Sequence, residues 1–324
     1  MEYRTMKGTG VKVSRICLGA MTFGGQTGEE EARRMVDHAL EHGVNFIDTA
    51  DSYTGGRSEI ITGKAIAGRR RDVILASKVC RPTEAEPNVG GLSRRHILYS
   101  VEQSLKRLQT DYLDIYYAHF PDPDTSMEET MDVMSELVRQ GKVLYVGVSN
   151  HASWQVAEAV HLCEKAHGVR PVISENVYNL FTTTVEPELV PCLEHYKMDL
   201  VAYNPLAGGL LTGKHSFETI PENSRFGINK GYVTRYWNRE NFEAIEAFRR
   251  IADEAGISLI ELALKYCMQK EFLTSVILGA SRYEHWVSNL AAATEGEPLA
   301  EDVVAAVESV MGALPAGSRF SYAR

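Results

Sequence analysis

VNFIDTADSY (44–53), DVILASK (72–78) and DYLDIYYAH (111–119) are three short apolar runs, each closing on a polar residue that can carry chemistry. Asp48, Lys78 and His119 stand at their C-terminal ends, and Tyr53 lies five residues past Asp48 in the following loop. Five further apolar runs, at 16–18, 143–148, 172–174, 200–202 and 276–278, read as strands of the same kind. Amphipathic segments separate them. EEEARRMVDHALEHG (29–43) places Ala32, Met35, Val36, Ala39 and Leu40 on one helical face and stops at Gly43. HILYSVEQSLKRLQ (96–109) repeats the pattern behind a Ser93 cap, MEETMDVMSELVRQG (127–141) ends again in Gly, and Ser153 is the expected cap of 154–166. Eight strands, each followed by a helix, predict an α/β protein with a closed parallel (β/α)8 barrel, the TIM-barrel architecture.

Such a barrel needs about 250 residues before insertions, so the 324 residues are expected to form one domain over 1–324. Two stretches break the alternation: 80–93, rich in Pro, Gly and Glu, and 215–239, which is polar and aromatic without clear periodicity. Both leave the C-terminal ends of strands, where barrel enzymes build their sites, and both are read as long loops. The segment 298–314 is an amphipathic tail helix.

Composition narrows the function classes. Apolar residues make up 44% and charged residues 24%, as in an ordinary globular protein. A net charge of −9 argues against nucleic acid or anionic membrane as a general partner. The five cysteines, Cys17, Cys80, Cys163, Cys192 and Cys267, show no metal-ligand spacing, and no metal is expected. No leader pattern and no stretch of ~20 apolar residues is visible. A cytoplasmic protein acting on a small molecule, with self-association left open, is the expectation.

Asp48, Tyr53, Lys78 and His119 together form a proton-transfer unit. A phenol titrates near ~10, too high to respond easily at neutral pH. An adjacent ammonium favours the phenolate, a carboxylate fixes the ammonium, and an imidazole orients a carbonyl oxygen or relays a proton. A lone Lys or Asp at a strand end is more often solvated or capping. Their occurrence at three consecutive strand ends favours the chemical reading.

At these four residues the chain resembles the aldo-keto reductase superfamily, whose tetrad is an Asp, a Tyr, a Lys and a His on the second, third and fourth barrel strands. The likeness extends through EYRTMKGTGVKVSRICLGAMTFGG (2–25), GVSN (147–150), VAYNPLAGGLLTGK (201–214) and SVILGASRYEHWVSNLAAA (275–293). It implies reduction of a small-molecule carbonyl compound by NADPH, NADH being the poorer fit, with Tyr53 as proton donor. It also implies an N-terminal hairpin across Gly8–Gly10 that closes the barrel bottom. Ser149, Asn150 and Glu175 would hold the carboxamide, and Tyr203 would stack on the nicotinamide. Glu175 departs from the family's usual Gln: an ionised carboxylate only accepts hydrogen bonds, so it would accept from the carboxamide NH2 or face a Lys or Arg instead. Leu206, Gly208 and Lys214 in the Gly-rich turn would approach the pyrophosphate. Gly279, Ser281, Arg282, His285 and Asn289, where the last barrel strand meets a helix, would take the adenosine end. Arg282 there speaks for NADP over NAD.

Within the superfamily the C-terminal half looks most like the aflatoxin aldehyde and succinic semialdehyde reductases, whereas NVGGLSRRHI (88–97) looks more like the aryl-alcohol dehydrogenases. The first likeness implies an anion clamp of Arg235 and Arg324, with Tyr236 and Trp237 as an apolar wall. Two rival readings share the residues. Potassium-channel β subunits have this fold and tetrad but act as binding and redox-sensing partners. A barrel isomerase or aldolase would use Lys78 as a Schiff base.

Overall fold

The structure is a computed structural model that describes residues 1–83 and 85–315. An antiparallel hairpin of β1 (Tyr3–Thr5) and β2 (Lys12–Ser14) precedes eight parallel strands. These are β3 (Ile16–Gly19), β4 (Phe46–Asp48), β5 (Ile74–Val79), β6 (Leu113–Ala118), β7 (Val143–Ser149), β8 (Ile173–Val177), β9 (Asp199–Tyr203) and β10 (Ser275–Gly279). They pair in sequence order, and β10 closes on β3 to complete a barrel. All eight expected strands are present, and the (β/α)8 barrel is the fold.

Alternation along the strands sorts the core into two layers. Cys17, Phe46, Ala76, Ile115, Tyr117, Ile173, Val201 and Ile277 fill the interior, with Met6 and Val13 of the hairpin packed beneath them. On β7 the interior position is Gly147, where an added Cβ would lie 2.4 Å from the Tyr117 ring, so only glycine admits that phenol. The outward residues, among them Leu18, Ile47, Leu75, Tyr116, Val146, Leu200 and Val276, pack on the helices. From the helix Glu29–Glu41 come Ala32, Met35, Val36 and Ala39, and from Arg94–Leu108 come Ile97, Val101, Leu105 and Leu108. Each such aliphatic side chain, fully buried, contributes roughly 1.5–3 kcal/mol.

The caps follow the sequence in part. Ser93 accepts a hydrogen bond from the His96 amide, as expected. Ser153 is not a cap: Ala152 holds that position, its N–H donates to Gln155 Oε1 at 2.8 Å, and the Ser153 hydroxyl donates to Glu188 at 2.5 Å. The stretch 215–239 is also not a plain loop. It contains the helices Arg225–Ile228 and Lys230–Tyr236, capped by Ser224 and Asn229. The tail helix spans Glu301–Ala313. No helix among the described residues is long and apolar enough to cross a membrane.

Candidate active site

The strand period that fills the barrel interior also builds its mouth. Two residues beyond Phe46, Ala76, Tyr117, Gly147, Ile173 and Val201 stand Asp48, Lys78, His119, Ser149, Glu175 and Tyr203. Six strands therefore deliver six polar side chains to one level at the C-terminal end, where barrel sites form. Glycines 19 and 279 hold the matching level on β3 and β10.

Lys78 is fully buried and is the hub. Its Nζ donates to Asp48 Oδ1 and, at 3.0 Å, to the carbonyl of Thr49. It also lies 3.3 Å from Glu175 Oε2 and 5.3 Å from the centre of the Tyr53 ring. Tyr53 sits in a tight turn, Tyr53–Gly56, where Thr54 adopts φ 50. That left-handed value is costly for a β-branched residue. The Thr54 hydroxyl donates to the carbonyl of Phe23 at 2.7 Å and pins the turn to the loop after β3. His119 packs edge-on to Tyr53, ring centres 6.0 Å apart.

The electrostatics depart from expectation at two groups. Burial raises the Tyr53 phenol and outweighs the lowering by Lys78, while Asp48 and Glu175 push it further up. Lys78 thus acts in the expected direction without prevailing, and Tyr53 stays protonated. Glu175, the residue where the family has Gln, is pushed up to about 8 by burial first and the charge of Asp48 second. His119 is held well below its ordinary value by burial and by the cations Lys78 and Arg81, so it is a neutral imidazole. Its Nδ1 is buried without a protein partner.

Beside this cluster lies a polar shelf. Tyr203 donates its hydroxyl to Asn150 Oδ1 at 2.7 Å. Asn150 in turn donates to Ser149 Oγ at 2.9 Å and to the carbonyl of His119 at 3.0 Å. Asn150 has φ 61, the left-handed conformation that Asn tolerates best after Gly. The carbonyl of Glu175 accepts from the Asn150 amide at 3.1 Å, which ties the shelf to the Lys78 cluster. The groups offered are a hydroxyl, an amide and a carboxyl, beside a flat phenol face. That donor and acceptor set fits a carboxamide-bearing aromatic ring.

The remaining expected residues are spread around the mouth. Leu206, Gly208 and Lys214 lie in and beside a turn of 3-10 type, with Gly208 at φ 71 and Lys214 exposed. Gly279 and Ser281 lead into the helix Tyr283–Thr294, whose cap position is the exposed Arg282. The Tyr283 amide at that helix start donates to Glu31 Oε1 at 2.8 Å. A carboxylate already serves this amide, so an anion there would rely on Arg282 and Ser281. His285 is exposed and Asn289 is buried on the same helix.

Arg235, on the helix Lys230–Tyr236, holds its guanidinium 5.5 Å from the Tyr232 ring centre and 5.8 Å from that of Tyr236. Its charge also lowers Tyr203 on the shelf, against the raising effect of burial. Tyr236 is buried, and its hydroxyl accepts from Asn179 at 3.0 Å and Asn204 at 2.9 Å, so it is no open wall. Trp237 donates its indole N–H to the Phe217 carbonyl at 3.0 Å and packs on Phe226 and Phe242, anchoring its own loop. Arg324 lies outside the described residues.

Comparison with known proteins agrees with this geometry. The model of the aldo/keto reductase family matches residues 15–311. A probable voltage-gated potassium channel subunit beta of Oryza sativa subsp. japonica is 35% identical over 322 residues, covering 97% of this chain and 98% of that protein. The protein of the same description from Arabidopsis thaliana is equally similar over the same shares. The likeness to aflatoxin aldehyde and succinic semialdehyde reductases does not surface among these relatives. With a barrel closed in this order and a family match from its first strand to its tail helix, the chain belongs to the aldo/keto reductase family.

Proposed function

We infer that the chain reduces aldehydes or ketones to alcohols with NADPH. The observation that carries this is the Lys78–Asp48 ion pair, buried under Tyr53 with a neutral His119 alongside. Bound NADPH would supply a hydride to the carbonyl carbon. Tyr53, protonated and beside Lys78, gives its proton to the developing alkoxide. Lys78 stabilises the phenolate left behind, and Asp48 keeps Lys78 charged and in place. The neutral imidazole of His119 offers one N–H to the carbonyl oxygen. Ser149, Asn150, Glu175 and Tyr203 hold the nicotinamide end. Leu206, Gly208 and Lys214 serve the pyrophosphate. Gly279, Ser281, Arg282, His285 and Asn289 serve the adenosine 2′-phosphate end. The free state of all five cysteines supports a cytoplasmic setting. Steady-state oxidation of NADPH and of NADH against a panel of aliphatic, aryl and acid-bearing carbonyl compounds tests the reading. Turnover with NADPH is expected, and silence across the panel defeats it.

A second reading, favoured by the names of the two relatives, is a redox-sensing binding subunit. It predicts one reduction per protein followed by retention of the oxidised nucleotide. Multiple turnovers within a minute exclude that role as the main one.

Arg282→Ala weakens NADPH binding and spares NADH. A charge-assisted hydrogen bond contributes ~1.5–3 kcal/mol, or roughly ten- to a hundredfold in affinity. Fluorescence titration with both nucleotides decides it: equal losses remove Arg282 from a 2′-phosphate site.

The substrate is the finest point. Arg235 makes acid-bearing aldehydes such as succinic semialdehyde the favoured class over uncharged analogues of equal length, with aryl aldehydes as the alternative. A net charge of −9 repels anions at long range, and a half-buried cation overrides that field locally. Arg235→Gln then raises KM for the acid substrate and leaves the uncharged one alone. Equal losses on both substrates would remove the clamp.

A further inference from the structure

Lys78 stands between two buried carboxyl groups, Asp48 on β4 and Glu175 on β8. One ammonium cannot neutralise two carboxylates. With both ionised, the cluster carries one surplus negative charge among buried side chains, a costly state. Asp48 Oδ2 would be buried without a hydrogen-bond donor, while Glu175 Oε2 has only the ammonium, 3.3 Å away. One proton held between them supplies the missing donor and cancels the surplus charge. Burial raises both carboxyls, but Asp48 accepts the direct hydrogen bond of the ammonium whereas Glu175 stands 3.3 Å from it, so Asp48 keeps the charge and the proton resides on Glu175. In that state Glu175 has the shape and the neutrality of the family's Gln, with one O–H donor where the amide has two N–H donors. Unlike Gln, it can let the proton go.

We propose that Glu175 holds a proton against Asp48, and that its release puts a negative charge beside the Tyr203 shelf that binds oxidised nicotinamide dinucleotide in preference to reduced. The inference rests on the NADPH-dependent reading above. The release is a plain ionisation: the O–H bond of Glu175 breaks, solvent takes the proton, and nothing is oxidised or reduced. An oxidised nicotinamide ring carries one positive charge and a reduced ring none. A carboxylate among the residues that hold this ring separates the two by charge alone. Glu175 acts on Tyr203, whose phenol its charge raises, so its field reaches the shelf.

The groups that face Glu175 are Cys17 from β3, Asp48 from β4, Lys78 from β5, Tyr117 from β6, Tyr203 from β9 and Tyr53 from the loop after β4. Burial raises the thiol and the three phenols, and Asp48 above all holds Lys78 charged, so these stay fixed through the neutral and mildly alkaline range. His119 stays neutral there. Asp51, pushed up to about 7, does titrate nearby, and a substitution at Glu175 separates the two.

The test is the ratio of dissociation constants for NADPH and NADP+, measured by protein fluorescence between about pH 6.5 and about pH 9. The phosphates and adenine are common to both nucleotides, so their titration cancels in the ratio. In the wild type the preference for NADP+ rises about tenfold over this range, the effect of one unit of differential pKa. In Glu175→Gln, a near-isosteric change, it stays flat. Calorimetry in buffers of different ionisation enthalpy gives a second measure on the wild type alone: near neutral pH, NADP+ binding releases up to about half a proton more than NADPH binding, as a one-unit differential requires. A flat wild-type ratio, or the same slope in Glu175→Gln, overturns the proposal and leaves the reductase reading standing. Failure to bind either nucleotide overturns both.

Discussion

Tyr53→Phe leaves nucleotide affinity unchanged and lowers kcat by at least about a hundredfold, the scale of a lost general acid. Only the hydroxyl is removed, and neither Lys78 nor His119, the two groups packed against the Tyr53 ring, replaces it. Lys78 lies 5.3 Å from the ring centre but is committed to Asp48 and the Thr49 carbonyl. The His119 imidazole is neutral and holds its proton in a low-polarity setting. Since Tyr53 is pushed above the ordinary phenol range, the wild-type rate is not limited by loss of its proton at neutral pH. Nucleotide titration and steady-state rates on the same preparation separate the two effects. A rate near wild type, with binding intact, takes the proton-donor role away from Tyr53.

Lys78→Met abolishes turnover and destabilises the fold, by ~3–5 kcal/mol at alkaline pH, because it strands buried charges that the ammonium had paired. The loss depends on pH, and its sign follows from the carboxyls. Without the ammonium, both Asp48 and Glu175 have folded pKa values above their unfolded ones, since burial disfavours their ions. Groups of that kind bind more protons when folded, so stability falls as pH rises from the unfolded carboxyl range through the raised folded values. The deficit against wild type is therefore small in mild acid and largest above neutrality. Urea denaturation at several pH values measures it. A pH-independent deficit would show that packing, not charge, accounts for the loss.

Much of this architecture was legible in the residues. Each barrel strand is announced by an apolar run, and the two-residue period along β4, β5 and β8 leads from Phe46 to Asp48, from Ala76 to Lys78 and from Ile173 to Glu175. Counting two beyond an interior residue finds the mouth. Which cation meets Glu175 was not legible, because its contact with Lys78 spans a closed barrel and depends on register and tilt. Residue type alone offers a Lys or Arg as an alternative partner for Glu175, and the fold supplies Lys78, together with Asp48 as a second carboxyl that no local reading shows. The helix start at Tyr283 is a similar case. Its anion-binding character could be read locally, but the competing carboxylate of Glu31 comes from 252 residues earlier in the chain. In 215–239 the helices Arg225–Ile228 and Lys230–Tyr236 are too short to show a period. Their caps, Ser224 and Asn229, were the available signal. Tyr236 shows the limit of residue type as a guide: an aromatic next to a promising Arg turned inward to meet Asn179 and Asn204.

The central claim is carbonyl reduction at the mouth built around Lys78, and label transfer tests it most directly. The wild-type protein is mixed with NADPH deuterated at both C4 positions of the nicotinamide and with 4-nitrobenzaldehyde, and the product is analysed by mass spectrometry. One deuterium at the carbinol carbon for each nucleotide oxidised, lost in Tyr53→Phe, is the predicted result. Nucleotide oxidation without labelled alcohol, or no oxidation above the protein-free rate, would contradict it.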